Sequence, residues 1–321
     1  MDISFIKPVQ IETLKLKGNI FYAPMAGYSD HVTRGIMLDA GAFMAYTEMV
    51  SAEALCRGNA KTLSMLKRAP GEEILAVQLF GSSADVIGRA AGIAKKNGAD
   101  LIDINAGCPV KKVISKGAGA ALAAQPEKLY RAVKAAAESG LPVSVKIRKG
   151  LTAENENWKE SAAAAEEAGA AALGFHPRSA EQMYRGKSDW NAIKMLSDIL
   201  SIPVVGSGDL LTKNSVKEMF EKTGCSAVMI ARGAVGNPDI FNFSGKNTTS
   251  DESVYKRNKV VMALEHLELY ADEYGKEKTV HIIKKHLAGY IKGWEGSSAL
   301  KKELLTQSSY SEIRNLLITE L

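Results

Sequence analysis

The most specific short stretch of this sequence is Asn105-Ala106-Gly107-Cys108-Pro109. It is followed by Lys111-Lys112-Val113-Ile114-Ser115-Lys116 and then Gly117-Ala118-Gly119-Ala120-Ala121-Leu122. A cysteine is most often a small buried hydrophobe. Cys108 instead falls in a loop between Gly107 and Pro109, with three lysines close behind. That placement suits acid/base or nucleophilic work. No His or Asp stands at the spacing of a protease-like dyad. Cys56, in a helical segment, and Cys225, beside Gly224, fit a packing role. A second candidate is Lys146, inside Val143-Ser144-Val145-Lys146-Ile147. A charge in so apolar a run needs a partner or an outlet. Glu48 or Asp103 would serve as a partner; an anionic or electron-rich ligand would serve as an outlet. A third signal is glycine beside charge. Gly208-Asp209 precedes a helical segment, and Arg232-Gly233 closes a later apolar run. Backbone N–H groups freed by glycine can face a phosphate at both places.

These residues need a scaffold that brings them together. Eight short β-rich runs recur over the first 240 residues, at 19–24, 42–48, 74–80, 101–105, 142–148, 172–176, 203–206 and 227–231. Segments of helical period lie between them, among them 84–97, 127–138, 158–168, 191–200 and 213–222. Strands alternating with helices imply a parallel sheet with helical crossovers. Several runs are nearly all apolar, as strands buried on both faces should be. Eight units in this length predict an α/β fold, a (β/α)8 TIM barrel. A doubly wound open sheet would announce itself by Gly-x-Gly-x-x-Gly after the first strand. Here that strand ends in Ala23-Pro24-Met25-Ala26-Gly27.

Barrel chemistry sits at the carboxyl ends of the strands. In order, those ends deliver Pro24-Met25-Ala26, Glu48, Gln78, Asn105 with Cys108, Lys146 with Arg148, His176 with Arg178, Ser207-Gly208-Asp209, and Ala231-Arg232. The two phosphate signals fall on the seventh and eighth strands, where barrels often bind phosphate.

Beyond residue 242 the strand signals stop. Segments 253–274, 278–293, 298–307 and 309–319 read as helices, with a linker over 245–250. This divides the chain into a barrel, 1–242, and a small all-helical domain, 243–321. The net charge is +5, which permits a polyanionic partner without requiring one. From residue 243 on there are 12 Lys/Arg and 11 Asp/Glu, so only 12 − 11 = +1 lies on the tail. The barrel holds 29 − 25 = +4. A basic face must therefore arise by arrangement, with Lys111, Lys112 and Lys116 meeting Lys284, Lys285 and Lys292. No apolar run approaches the ~18 residues of a membrane-spanning helix. Met1 to Asn19 lacks the pattern of a secretory signal. Three scattered cysteines give neither a disulfide framework nor a metal cluster. A cytoplasmic protein, with no membrane and no metal, is expected.

Taken in order, several of these stretches resemble the tRNA-dihydrouridine synthases, flavoenzymes that reduce a uridine base in tRNA. The shared marks are Ala23-Pro24-Met25-Ala26-Gly27, Gln78-Leu79-Phe80-Gly81, Asp103 through Pro109, Val145-Lys146-Ile147-Arg148, His176-Pro177-Arg178, Gln182-Met183-Tyr184-Arg185-Gly186 with Asp189-Trp190, Gly206-Ser207-Gly208-Asp209, and Lys285-His286-Leu287-Ala288-Gly289-Tyr290. The resemblance implies FMN in the barrel mouth. It puts Pro24, Met25, Ala26, Gln78, Lys146 and His176 around the ring, with Lys146 stabilising negative charge on the reduced flavin. Ser207, Gly208, Asp209, Ala231 and Arg232 would hold the ribityl phosphate. Asn105 and Cys108 would face the uracil. Arg178, Lys111, Lys112 and Lys285 would contact the tRNA.

The implied reaction has two halves. NADPH (or NADH) reduces FMN. The reduced flavin passes a hydride to C6 of the uracil, while Cys108 gives a proton to C5 as general acid. That role needs a neutral thiol, consistent with a reference pKa of ~8.5. The base must leave its stack, at a cost of a few kcal/mol. The sequence departs from the family at Pro177 and Ser179, at Ser207, at Ala231, and at Gly289, where many members carry an aromatic residue. Two alternatives accompany this reading. One is a dihydroorotate dehydrogenase-like reductase of a free pyrimidine, which would not need the helical tail. The other is a non-catalytic RNA-binding relative, against which stand the intact Cys108, Lys146 and His176.

Overall fold

The computed structural model describes residues 3–244 and 251–321; the expected linker over 245–250 lies outside the described residues. Each of the eight apolar runs marks one barrel strand, the fourth and seventh ending one residue past their runs: β1 Ile20–Tyr22, β2 Met44–Tyr46, β3 Leu75–Phe80, β4 Leu101–Ala106, β5 Val143–Arg148, β6 Ala172–His176, β7 Val204–Ser207 and β8 Ala227–Ile230. Neighbours pair in parallel in chain order, and β8 returns to β1 through Val228↔Ile20 and Met229↔Phe21. The sheet is thus a closed eight-stranded barrel. Strand β1 is shorter than its run. The Ala23 amide still donates to the Ile230 carbonyl, at 3.0 Å, but Pro24 has no N–H to extend the ladder.

Helices α1 His31–Asp39, α2 Ala84–Lys96, α3 Pro126–Ala137, α4 Trp158–Glu167, α5 Trp190–Ile199 and α6 Lys213–Thr223 surround the barrel. Their buried stripes follow helical spacing. On α2 the stripe is Ile87, Ala90, Ala91 and Ala94; on α3 it is Leu129, Ala132, Val133 and Ala136. Alanine at these positions lets the helices lie close to the strands. The sequence patterns did not anticipate an antiparallel hairpin, Val9–Ile11 with Leu14–Leu16. Its Ile11 and Leu16 pack on Leu101, Ala172 and Ala227, the first residues of β4, β6 and β8. The hairpin therefore plugs the amino-terminal end and leaves the carboxyl end open.

The tail forms helices α7 Glu252–Tyr274, α8 Lys276–Tyr290, α9 Ser297–Thr306 and α10 Tyr310–Ile318. Asp251 caps α7, and Ser309 with Glu312 forms a capping box on α10. Val260, Leu267, Ile283, Leu287, Leu304, Ile313 and Leu317 make a core of the tail's own. Polar groups tie the tail to the barrel. One oxygen of Asp30 accepts from the Thr33 amide at 2.9 Å and caps α1; the other accepts from the Tyr270 hydroxyl. Buried Lys259 donates to the Gly236 carbonyl at 3.1 Å and to Asn237 Oδ1 at 2.7 Å. Burial pushes its pKa down to about 8.

The glycine at position 289 has a local cause. A Cβ on Gly236 would lie 1.9 Å from the Gly289 carbonyl carbon, and one on Gly289 would lie 3.0 Å from the Gly236 amide nitrogen. Helix α8 thus docks backbone to backbone on the loop after β8. Among the described residues, no helix is long and apolar enough to cross a membrane. Gly236→Ala should destabilise the fold by more than about 2 kcal/mol in urea unfolding. Gly293→Ala, also at positive φ but with its nearest neighbour 3.4 Å away, should cost about 1 kcal/mol. Equal losses would show that backbone strain, not close docking, sets the requirement at Gly236.

Candidate active site

A cleft of about 770 Å³ opens over the carboxyl ends of the strands. Pro24, Met25, Ala26, Gln78, Asn105, Cys108, Lys146, His176, Ser207, Gly208, Asp209, Ala231 and Arg232 all line it. Most of the strand-end residues picked from the sequence therefore converge on one space; Glu48 and Arg178 do not line it.

Strands β3, β4 and β5 build the floor. Register sets Gln78 beside Asp103 and Asp103 beside Ser144; one layer higher it sets Asn105 beside Lys146. Gln78 Nε2 donates to Asp103 Oδ2 at 2.6 Å, and Ser144 Oγ donates to Asp103 Oδ1 at 2.6 Å. Asn105 Nδ2 donates to Gln78 Oε1 at 2.8 Å. Burial pushes the Asp103 carboxyl up to about 6, against its hydrogen bonds from Ser144 and Gln78. Lys146 forms no ion pair among the described residues. Asp103 is taken by Gln78 and Ser144, and Glu48 accepts from the Gly27 amide. Of the partner and the outlet, the cleft supplies the outlet. Burial, then the charge of Arg148, pushes the Lys146 pKa down to about 8.

The Cys108 loop is pinned at both faces. Its amide donates to Asn105 Oδ1 at 2.9 Å, and its carbonyl accepts from the Ala120 amide at 3.1 Å. Gly119 has φ +61°, and a Cβ there would lie 2.7 Å from the Cys108 carbonyl oxygen. The Gly-Ala-Gly-Ala stretch thus holds the thiol loop in place.

At the far end, Arg178 Nη1 meets His176 Nε2 at 3.2 Å. A guanidinium only donates, so Nε2 accepts and the ring proton lies on Nδ1. Burial, then the charges of Lys146, Arg148, Arg178 and Arg232, hold the His176 pKa well below its usual value. The ring is neutral. Arg178 is only 1% exposed and does not line the cleft. It donates to both oxygens of Asp209 at 2.8 and 2.7 Å and to the Gly186 carbonyl at 2.6 Å. It supports the cleft wall from behind. Burial raises the Asp209 pKa, but hydrogen bonds from Arg178 and the Ser188 amide, with the charges of Arg178 and Arg232, lower it overall.

Lys111 and Lys112 are exposed on a single helical turn, Lys111–Ile114, outside the cleft. Lys285 is exposed on α8, with Nζ 5.3 Å from the Tyr28 ring centre. Lys284 does not join the basic face; it donates to the carbonyls of Leu305 and Gln307 within the tail. Lys292 and Lys301 do line the cleft. So do Arg148, expected at the end of the fifth strand beside Lys146, and Tyr184. Arg148 lies two residues past Lys146, on the same strand face. It donates to the carbonyls of Ser179 and Met183 at 3.0 and 2.8 Å, which holds the loop bearing Tyr184.

The fold and the cleft define a parallel α/β barrel whose site is built from strand ends, with a helical tail on its rim. Morphinone reductase in complex with tetrahydroNAD shares the barrel, with TM-score 0.54 and 14% identity over 78% of this chain and 94% of that one. 2-Naphthoyl-CoA reductase shares it with TM-score 0.59 and 10% identity over 75% of this chain and 52% of that one. At such identities the likeness concerns the fold alone. The family model for dihydrouridine synthase matches residues 21–319, and the chain belongs to that family. A probable tRNA-dihydrouridine synthase of Treponema pallidum is 39% identical over 95% of this chain and 94% of its own length. The tRNA-dihydrouridine synthase B of Vibrio parahaemolyticus is 35% identical over 92% of each.

Asp209→Asn should lower stability by about 2–3 kcal/mol at pH 7, because it leaves the buried Arg178 guanidinium without its counter-charge. The folded-state pKa of Asp209 lies below its unfolded value. The contribution is therefore complete above the unfolded value of ~3.9 and is lost as pH falls through the folded one. Urea unfolding of both proteins checks this: the gap should narrow in acid. A constant gap would assign the loss to packing.

Proposed function

We propose that this chain is a tRNA-dihydrouridine synthase that uses FMN, recharged by NADPH or NADH, and that Cys108 is its general acid. The observation that carries the reading is Lys146, half-buried on β5 with no carboxylate partner among the described residues and facing the same cleft as Cys108. The names of the relatives support the tRNA substrate.

The donor set fits a flavin. The carbonyl oxygens of Gln78 and Asn105 are already engaged, so each amide has an N–H left for the cleft. With Lys146 and the Nδ1–H of His176, the floor and side wall offer donors and suit a ring rich in carbonyl and nitrogen acceptors. At the β7 and β8 ends, Gly208, Gly233 and Arg232 offer backbone N–H groups and a cation to a phosphate. Asp209 would repel that phosphate if it were free, but Arg178 neutralises it. Pro24, Met25 and Ala26 supply an apolar wall.

Bound FMN would supply the hydride for C6 of the uracil. The remaining work belongs to side chains of this chain. Lys146 holds positive charge beside the ring where electron density rises. Asn105 orients the base and fixes the Cys108 amide. The Cys108 thiol delivers a proton to C5, so hydride and proton together saturate one double bond. Tail residues Ala288, Gly289, Lys292 and Lys301 reach the rim of the same cleft. That reach favours a macromolecular substrate over a free pyrimidine, with 243–321 as a tRNA-binding domain beside Lys111, Lys112 and Lys285. A cytoplasmic location follows from that substrate.

The full chain should bind FMN and turn yellow; protein that takes up no FMN overturns the cofactor assignment. Lys146→Met should weaken FMN binding by about 10- to 100-fold, and wild-type affinity should fall above pH 8 as the ammonium is lost. Cys108→Ala should reduce dihydrouridine formation in tRNA at least ~100-fold, while NADPH still reduces the flavin. Parallel loss of both half-reactions would make Cys108 structural.

A further inference from the structure

The floor of the cleft contains a chain of hydrogen bonds with one direction. The Cys108 amide donates to Asn105 Oδ1 at 2.9 Å, Asn105 Nδ2 to Gln78 Oε1 at 2.8 Å, and Gln78 Nε2 to Asp103 Oδ2 at 2.6 Å. From the other side, Ser144 Oγ donates to Asp103 Oδ1 at 2.6 Å. Every donor points toward Asp103, the one member that only accepts when ionised. Primary amides have no preferred orientation of their own; the network around them decides which end is oxygen. Both amides here are buried, so their protein partners carry most of that choice.

We propose that Asp103 is a positioning residue: its carboxylate fixes the polarity of the Gln78 and Asn105 amides, and through them the character of the cleft floor and the hold on the Cys108 loop. With Asp103 in place, Gln78 must turn Nε2 toward it and Oε1 toward Asn105. Asn105 must then turn Nδ2 toward Gln78 and Oδ1 toward the Cys108 amide. The N–H left on each amide faces a ligand. Without the carboxylate, Gln78 Nε2 loses its acceptor and only the Cys108 amide holds the polarity from the far end; reversal of Gln78 then sets N–H groups against each other at Asn105. Reversal of Asn105 in turn faces its N–H groups against the Cys108 amide. The floor would then offer oxygen where it now offers hydrogen. Asp103 itself does not line the cleft.

This deepens the flavin reading and rests on it for its functional consequence. Three variants of the full chain test it. Asp103→Leu is close in size and removes every acceptor at that position. Ser144→Ala removes a hydrogen bond to the same carboxylate and leaves Gln78 untouched. Gln78→Met breaks the middle link and keeps Asp103. In 15N spectra of protein without added flavin, Asp103→Leu and Gln78→Met should both move the Asn105 side-chain amide signals, and Ser144→Ala should leave them in place. In FMN titrations, Asp103→Leu should weaken binding about tenfold or more, with Ser144→Ala within about threefold of wild type. Should Asp103→Leu fail to fold, the near-isosteric Asp103→Asn, which loses the charge and can no longer accept from both Gln78 and Ser144, decides instead: the Asn105 signals should move further than in Ser144→Ala, and equal or no movement overturns the proposal. Unmoved Asn105 signals in the folded variants overturn the proposal. So does an equal effect from Ser144→Ala, which would reduce Asp103 to an element of packing. If wild-type protein takes up no FMN, the flavin reading falls, and the spectra still decide the role of Asp103.

Discussion

A carboxylate enclosed in a parallel barrel has no water to satisfy it. Asp103 draws its partners from the strands on either side, Gln78 on β3 and Ser144 on β5. Much of the cleft follows from that one requirement. Because these neutral donors occupy Asp103, its charge does not pair with Lys146, which sits one layer higher on β5 beside Asn105. A buried ion pair there would have been an adequate structural solution. It would also have removed the cation from the cleft. The one-layer offset between Asp103 and Lys146 keeps acceptor and cation apart, so the upper layer presents charge outward.

The far end shows the opposite arrangement. There the carboxylate of Asp209 is paired, by Arg178 buried behind it and more distantly by Arg232. The same guanidinium settles the tautomer of His176. One end of the cleft thus keeps a cation free by satisfying a carboxylate with neutral donors. The other makes room for an anion by neutralising a carboxylate with a cation. Both are cases of charges tuned by what stands behind them, out of reach of any ligand.

The tail is held to the barrel by polar groups that each do two jobs and by a backbone contact that tolerates no side chain. Asp30 caps α1 and accepts from Tyr270. Gly236 and Gly289 meet at a distance only glycine permits. This fixes α8 on the rim and brings Lys292 to the cleft. Gly289 departs from the family's usual aromatic residue. Its partner for that departure lies more than 50 positions away, at Gly236.

Periodicity and strand count made the barrel legible, because strands buried on both faces must be apolar and crossovers must be amphipathic. The sequence also indicated most of the residues that reach the mouth, because barrel sites are built at the carboxyl ends of the strands. The N-terminal hairpin escaped notice because Gln10 and Lys15 interrupt its three-residue strands, so no continuous apolar run marks them as one marks the equally short β1 and β2. Tyr184 drew no role because it lies on the loop after β6, away from any strand end. Only the tertiary structure decided what each charged residue does. Arg178 had the composition of a substrate contact and lies behind the wall. Lys284 had the sign expected of an RNA-facing residue and caps helix carbonyls instead. Residue type sets what a group can donate, accept or carry. Its function also depends on which partners lie within about 3 Å, and those partners come from other elements and loops, often tens of residues away in sequence.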